Sequence, residues 1–326
     1  MKYFLTGATG FVGKRLAQML KERGHEVVAV VRSPDKADDL KAIGVSLVKG
    51  DVAEKESMRQ AMQGCDGVFH VAAWYKLGQR DKTPGWKTNV EGTRNVLELV
   101  RELNIPKCVY TSTLAINSDT HGAIRDETFR FTGRHISEYD RTKAAAHEIA
   151  DQFIKEGLPL VILMPGLIYG PGGTSLSDEA FRLYLKKQLP VIPARSAYSW
   201  AHVDDIAGMH ITAMEKAASG STYSIAGPCH TMIEAYQMAY EITGIRKPIA
   251  VPTFLTRSFS LLAGLVEIII PMPELYTSET LGIQGSTYLG DNSKAKRELG
   301  YNPRPLRQGL EETLRYELAK TNGKKK

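Results

Sequence analysis

The run Thr6-Gly7-Ala8-Thr9-Gly10-Phe11-Val12-Gly13 constrains this chain most. It follows a short apolar stretch, Tyr3 to Leu5, and opens a helical pattern over 11–23. Gly7 allows a tight turn, Gly10 lets backbone approach a pyrophosphate, and Gly13 permits close packing of helix on sheet. The helix that follows offers free N–H groups and a positive dipole end to an anion. The spacing is GxxGxxG rather than GxGxxG, and the same physics applies. Strand, turn and helix in this order predict a dinucleotide-binding unit, with Gly7, Thr9, Gly10, Phe11, Val12 and Gly13 around the phosphates.

The rest of the first half repeats the strand–helix alternation. Strand patterns at Glu26–Val31, Val45–Val48, Gly67–Val71, Cys108–Thr111 and Leu160–Leu163 alternate with helical patterns near 54–63, 86–103 and 137–156. Such alternation predicts an α/β fold, a doubly wound parallel Rossmann-like sheet with helices on both faces. After Pro165 the segment PGLIYGPGGTS is rich in glycine and proline and reads as a loop. Helical patterns return near 176–188, 203–218, 231–243, 255–270 and 307–321. The expected division is a nucleotide-binding domain over 1–165, with 196–226 returning to it. Residues 166–195 and 227–326 would form a smaller C-terminal substrate-binding cap and the last helix.

Composition narrows the setting. The 326 residues are 43% hydrophobic and 24% charged, as in an ordinary globular protein. Half of the formal +6 charge comes from Lys324, Lys325 and Lys326, so no nucleic-acid-binding surface is expected. Cys65, Cys108 and Cys229 are scattered and odd in number, which argues against a disulfide framework and for a cytoplasmic setting. The most apolar stretch, Phe259 to Ile270, is interrupted by Glu267 and too short to span a bilayer, so no stable membrane insertion is expected. His70, His202, Asp204 and Asp205 match no metal-ligand spacing and read as structural or cofactor-proximal; no metal is expected.

The end of the second strand discriminates between cofactors. An acidic residue there would bind the ribose 2′-hydroxyl of NAD. This chain has Arg32, which can pair bidentately with a 2′-phosphate. NADP(H), with NADPH preferred, is therefore expected over NAD(H), which is still possible chemically.

Further along, the motifs together resemble an extended short-chain dehydrogenase/reductase, in the NAD-dependent epimerase/dehydratase superfamily. TGATGFVG is similar to that family's cofactor loop, Asp51-Val52 to its adenine-contacting pair, and His70-Val71-Ala72-Ala73 to its fourth-strand motif. Asn89 in TNVEGTRNV, Thr111-Ser112-Thr113, Tyr139-Asp140-Arg141-Thr142-Lys143 and PGLIYGPG (Pro165 to Gly172) resemble further family motifs. HVDDIA, from His202 to Ala207, and the ending GYNPRPLRQGLEETLRY complete the likeness, which covers nearly the whole chain. The resemblance implies cofactor contacts from Asp51, Val52, Val71, Ala72, Ala73, Asn89, Thr111, Tyr139, Lys143, Pro165, Gly166 and Ile168. It also implies a homodimer built on the helices near 86–103 and 137–156.

The chemistry suits these residue types. Tyr139 and Lys143 are four apart and share a helix face. A free tyrosine has a pKa of about 10, and a nearby ammonium would lower it toward acid–base use at neutral pH. Thr113 stands at the carboxyl end of a strand, where its hydroxyl can bind a substrate oxygen as charge develops. The expected catalytic set is Thr113, Tyr139 and Lys143.

Three reactions fit. The first is NADPH-dependent reduction of a ketone or aldehyde, similar to dihydroflavonol reductases. The second is a nucleotide-sugar epimerase or dehydratase with internal hydride transfer, and the third a non-catalytic NADP sensor. Dehydratases of the family commonly carry Asp-Glu after the catalytic threonine, where this chain has Leu114-Ala115. Epimerases often carry Arg and Asn where it has Met164 and Leu167, which favours the first reading. Trp74, Tyr75, Tyr169, Trp200, Arg195 and the 259–270 helix are candidates for contact with a small carbonyl or hydroxyl substrate.

Overall fold

The computed structural model describes residues 1–252, 254–255, 258, 263–264 and 277–323. The first six strands are β1 (Lys2–Thr6), β2 (Glu26–Val31), β3 (Ser46–Lys49), β4 (Gly67–His70), β5 (Cys108–Thr111) and β6 (Leu160–Pro165). Five helices run among them: α1 (Phe11–Glu22), α2 (Asp38–Ala42), α3 (Glu56–Met62), α4 (Thr83–Trp86) and α5 (Gly92–Glu102). The catalytic helix expected near 137–156 is α6 (Glu138–Lys155).

The strands join one seven-stranded parallel sheet in the order β3-β2-β1-β4-β5-β6, closed by β10 (Thr222–Ile225) beside β6. Every residue of β4 and β6 is buried, as a sheet covered on both faces requires. On one face Leu16 and Leu20 of α1 pack with Ile206 and Ile211 of α8 (Val203–Lys216). On the other, Leu97 and Val100 of α5 pack with Ile149 and Phe153 of α6. The strand order reverses at β1 and β4, and the crevice at their carboxyl ends is where such sheets hold ligands.

The segment expected to be an irregular loop after Pro165 contains a strand, β7 (Leu167–Tyr169). It forms because β9 (Ala197–His202) offers it a parallel partner, with Leu167, Ile168 and Tyr169 opposite Trp200, Ala201 and His202. A partner 33 residues downstream outweighs the local glycines and prolines. β9 lies at the centre of this smaller sheet, while β10 returns to the large one. Ala295, Leu299 and Tyr301 also pack into the core beneath the large sheet, although they fall in the segment expected to be cap. The helices expected near 176–188, 203–218, 231–243 and 307–321 are present at Leu176–Leu185, Val203–Lys216, Met232–Thr243 and Leu306–Gly323. The helix expected near 255–270, including the 259–270 substrate candidate, falls on residues most of which lie outside those described.

Candidate active site

A cavity of about 570 Å³ opens at the carboxyl ends of the central strands. Gly7, at φ +74°, turns the chain after β1 and lies so close to the end of β4 that a Cβ there would stand 2.7 Å from the Ala72 nitrogen. A Cβ on Gly13 would stand 2.1 Å from the Gly7 carbonyl oxygen, so α1 can pack on β1 only with glycine there. Gly10 caps α1 without a side-chain bond, and its first turn carries no acid. Its free N–H groups and dipole suit an anion. These features fit the pyrophosphate of a dinucleotide.

Thr6 ties the two central strands together. Its hydroxyl oxygen accepts from the N–H groups of Val71 and Ala72, both at 3.1 Å, and lies 2.8 Å from His70 Nδ1. His70 Nε2 lies 3.0 Å from the Thr93 hydroxyl, which itself donates to the Asn89 carbonyl at 2.6 Å. Thr93 therefore accepts from His70, and the imidazole carries its proton on Nε2. Burial pushes the His70 pKa down to about 3, with the Lys143 charge adding to the fall, so the ring is neutral.

Thr9, Gly10, Phe11, Val12 and Gly13 line the cavity together with Arg32, Asp51 and Val52. Arg32 follows β2 and Asp51 follows β3, so these form the end on the β2 side of β1. Val71, Ala72, Ala73, Thr111, Thr113, Tyr139, Lys143, Pro165, Gly166 and Ile168 line its middle and far side. Among these, Thr111 turns its hydroxyl away to His210 Nε2 at 2.7 Å and gives its carbonyl to Lys143. Ser112, between Thr111 and Thr113, bonds His147 Nδ1 at 2.7 Å.

The catalytic candidates converge. Ser137 caps α6 by accepting from the Asp140 N–H, which starts the helix one residue before Tyr139. Thr113 lines the cavity together with Tyr139 and accepts from the Ala115 N–H at 3.1 Å. Lys143 is buried, donating to the Tyr110 hydroxyl at 3.0 Å and the Thr111 carbonyl at 2.7 Å. Burial pushes its pKa down to about 7. Burial raises the Tyr139 phenol, with the neighbouring Thr113 hydroxyl acting in the other direction. This corrects the expectation that Lys143 lowers the Tyr139 pKa: its amine is held by Tyr110 and Thr111, and desolvation dominates at the phenol.

Several expected contacts lie elsewhere. Asn89 does not line the cavity. It sits in a π-helical turn, Lys87–Glu91, accepts from the Trp74 N–H at 2.7 Å and donates to the Trp74 carbonyl at 3.0 Å and to Thr142 at 2.9 Å. It therefore fixes the loop after β4 rather than touching the cavity. Tyr169 and Trp200, read as substrate contacts, are core residues with no place in the cavity wall. Their rings meet edge to face, and Trp200 Nε1 donates to the His230 carbonyl at 3.0 Å. Arg195 pairs with Asp119 at 3.3 Å, away from the cavity. Asp204 pairs with Arg15 at 2.6 Å, Asp205 pairs with Arg304 at 3.0 Å, and His202 accepts from the Asp204 N–H. Among the described residues, no cluster of three or more His, Cys, Asp or Glu could hold a metal ion.

Trp74 and Tyr75 do line the cavity, and the Tyr75 ring stands edge-on to Tyr139 at 4.7 Å. Their neighbours across it went unread in the sequence: Asp140, Tyr198, Ile283 and Tyr288. Tyr198 and Tyr288 stack at 6.0 Å, and the Tyr288 hydroxyl donates to Asp140 Oδ2 at 3.0 Å. Burial pushes the Asp140 carboxyl up to about 7, against the pull of its bonds from Ser137 and Tyr288. Only Asp140 had a local signal, its place beside Tyr139.

Comparison with known proteins agrees with this geometry. The model of the "NAD dependent epimerase/dehydratase family" matches residues 3–226. A protein of Synechocystis sp. named for dihydroflavonol 4-reductase is 29% identical over 325 residues, covering 96% of this chain and 94% of its own. The 4-hydroxy-2-methyl-3-oxo-4-farnesyl-3,4-dihydroquinoline-1-oxide ketoreductase of Stigmatella aurantiaca is 28% identical, covering 95% of each chain. The crystal structure of gox2253 superposes with a TM-score of 0.85 at 28% identity, covering 98% of each chain. No helix among the described residues is long and apolar enough to cross a membrane.

Proposed function

Because this chain belongs to the NAD dependent epimerase/dehydratase family of NAD(P)-dependent oxidoreductases, we propose that its net reaction is the NADPH-dependent reduction of a ketone or aldehyde. The observation that carries this reading is the meeting of Thr113, Tyr139 and Lys143 between two unlike ends of one cavity. One end has the glycine turn, Arg32 and Asp51. The other is walled by Trp74, Tyr75, Tyr198, Ile283 and Tyr288.

A nicotinamide cofactor supplies hydride when bound. The residues divide the remaining work. The N–H groups of α1 and the glycine turn hold the pyrophosphate, and Arg32 pairs with a 2′-phosphate. Lys143 binds the nicotinamide ribose. Thr113 and Tyr139 bind the carbonyl oxygen, and the Tyr139 hydroxyl gives it a proton as charge develops. The Tyr139 phenol holds its proton at neutral pH and so has one to give to the carbonyl oxygen.

Among the lining residues, the basic ones are Arg32 and Lys143. Among the described residues, the aromatic end therefore has no cation to meet a nucleotide diphosphate, which supports an uncharged, apolar ketone over an epimerase or dehydratase substrate. In this reading residues 1–165 with 196–226 hold the cofactor, and 166–195 with 227–326 shape the substrate end. A cytoplasmic homodimer through the helices of 86–103 and 137–156 belongs to the same proposal. The test is to assay the purified protein for bound nucleotide and for NADPH oxidation with apolar ketones and aldehydes. NADPH oxidation with a ketone supports the reading. Tightly retained NAD without external turnover supports the epimerase, and NADPH binding without turnover supports a sensor.

A further inference from the structure

The substrate end of the cavity is assembled from three stretches far apart in sequence. The loop 71–82, without helix or strand of its own, carries Trp74 and Tyr75. The start of α6 carries Tyr139 and Asp140. A third stretch, the helix Ser278–Gln284 and the strand Thr287–Tyr288 after it, carries Ile283 and Tyr288. One side chain bonds the first two to the third. The Gly78 N–H donates to Glu279 Oε2 at 2.6 Å, and the Glu138 N–H donates to Glu279 Oε1 at 2.5 Å.

The chemistry of that bridge is specific. Glu138 is the first residue of α6, and the first N–H groups of a helix have no partner within it. Ser137 takes the Asp140 N–H, and Glu279 takes that of Glu138. A carboxylate at a helix N-terminus is favoured by the dipole, and its bonds to N–H groups are charge-assisted. Gly78, at φ +65°, lies so close to the third stretch that a Cβ there would stand 2.3 Å from Thr277 Cγ2. Glu279 and Ile283 are four apart on one helix, so anchoring one orients the other.

We propose that Glu279 is a positioning residue for the substrate: its carboxylate clasps the Trp74–Tyr75 loop to the head of the catalytic helix and so sets the width of the aromatic end. The kinetic part of this inference rests on the reductase reading, and the structural part does not.

The experiment compares the full-length wild type with Glu279→Gln and Glu279→Asp. Glutamine keeps one acceptor and turns an amide donor toward the other N–H. Aspartate keeps the charge but is too short for both bonds. Amide hydrogen exchange in segments 74–82 and 137–141 should quicken at least tenfold in both variants, with exchange in α1 unchanged. NADPH affinity should stay within threefold. With any ketone that wild type reduces, KM should rise at least tenfold and by more than kcat falls. Unchanged exchange in the two segments overturns the clasp. So does a loss of protection spread over the whole chain with an equal loss of NADPH affinity, since that marks a general structural role. A wild type that reduces no ketone overturns the reductase reading, and the exchange result then decides the clasp alone.

Discussion

Lys143 donates to the Tyr110 hydroxyl at 3.0 Å and stands 4.7 Å from the centre of the Tyr110 ring. Lys143 is thus seated on a strand residue behind the cavity, not on the tyrosine four residues before it. Its pKa of about 7 follows from that burial. The folded value lies below the unfolded one of about 10.4, so the unfolded chain holds the extra proton between about pH 7 and 10.4. Stability rises with pH across that window, and the penalty is complete below it. Lys143→Met should therefore abolish turnover yet raise the Tm of the ligand-free protein, more at pH 6 than at pH 10. The full effect is about 1.4 kcal/mol for each pH unit between the two values, before the lost hydrogen bonds are subtracted. Equal Tm changes at the two pH values would reject this account of the lysine.

Tyr139→Phe removes the proposed proton donor and leaves the ring that packs edge-on to Tyr75. The expected fall in kcat is about 10²- to 10⁴-fold, the range for loss of a general acid. NADPH affinity, measured by fluorescence titration, should change less than threefold. Turnover near that of wild type would remove Tyr139 from the mechanism.

Arg32 stands exposed at the end of β2 and lines the cavity with Asp51. A charge-assisted bond to a 2′-phosphate is worth about 1.5–3 kcal/mol, or roughly ten- to a hundredfold. Arg32→Glu should lower kcat/KM for NADPH by that factor and narrow or invert the preference over NADH. A cofactor ratio equal to that of wild type would leave NADP specificity without its main support.

Asp140 poses the opposite titration. Burial holds its carboxyl at about 7, above the ordinary 3.8, so the folded chain holds the extra proton between those values. Stability falls as pH rises through that window, and the penalty is complete above it. Asp140→Asn should raise Tm at pH 8 and leave it nearly unchanged at pH 4. A gain of the same size at both would assign the effect to packing.

The cofactor end was legible because its physics is local. Gly7, Gly10 and Gly13 are readable from spacing: Gly10 and Gly13 meet backbone of the same βα unit, and Gly7 turns the chain there while also lying against Ala72 after β4. Tyr139 and Lys143 were legible as a helical pair, although the lysine's true partner, Tyr110, lies on another strand. The substrate end was largely illegible. Tyr288 reaches Asp140 across 148 positions of sequence, and no local pattern records such an approach. Tyr169 and Trp200 misled for the complementary reason. Tyr169 in its glycine-rich stretch and Trp200 further on look like pocket walls until the β7–β9 pairing sets both in a core.

Strand β10 bears on how this scaffold can be recombined. Thr222–Ile225 pairs along β6, and later residues cover that edge: Lys294 donates to the Thr222 carbonyl at 2.9 Å and Asn292 to the Ala226 carbonyl at 2.6 Å. A chimera joined at Pro165 would set one parent's β6 against the other's β10, while both bonds from the distal segment, whose donors and acceptors all follow Pro165, would move with β10. A graft that moves substrate preference between relatives must leave 222–226 and 292–301 with the amino-terminal parent. The exchangeable material is then a set of separate insertions threaded through one sheet, and crossover points belong at their borders.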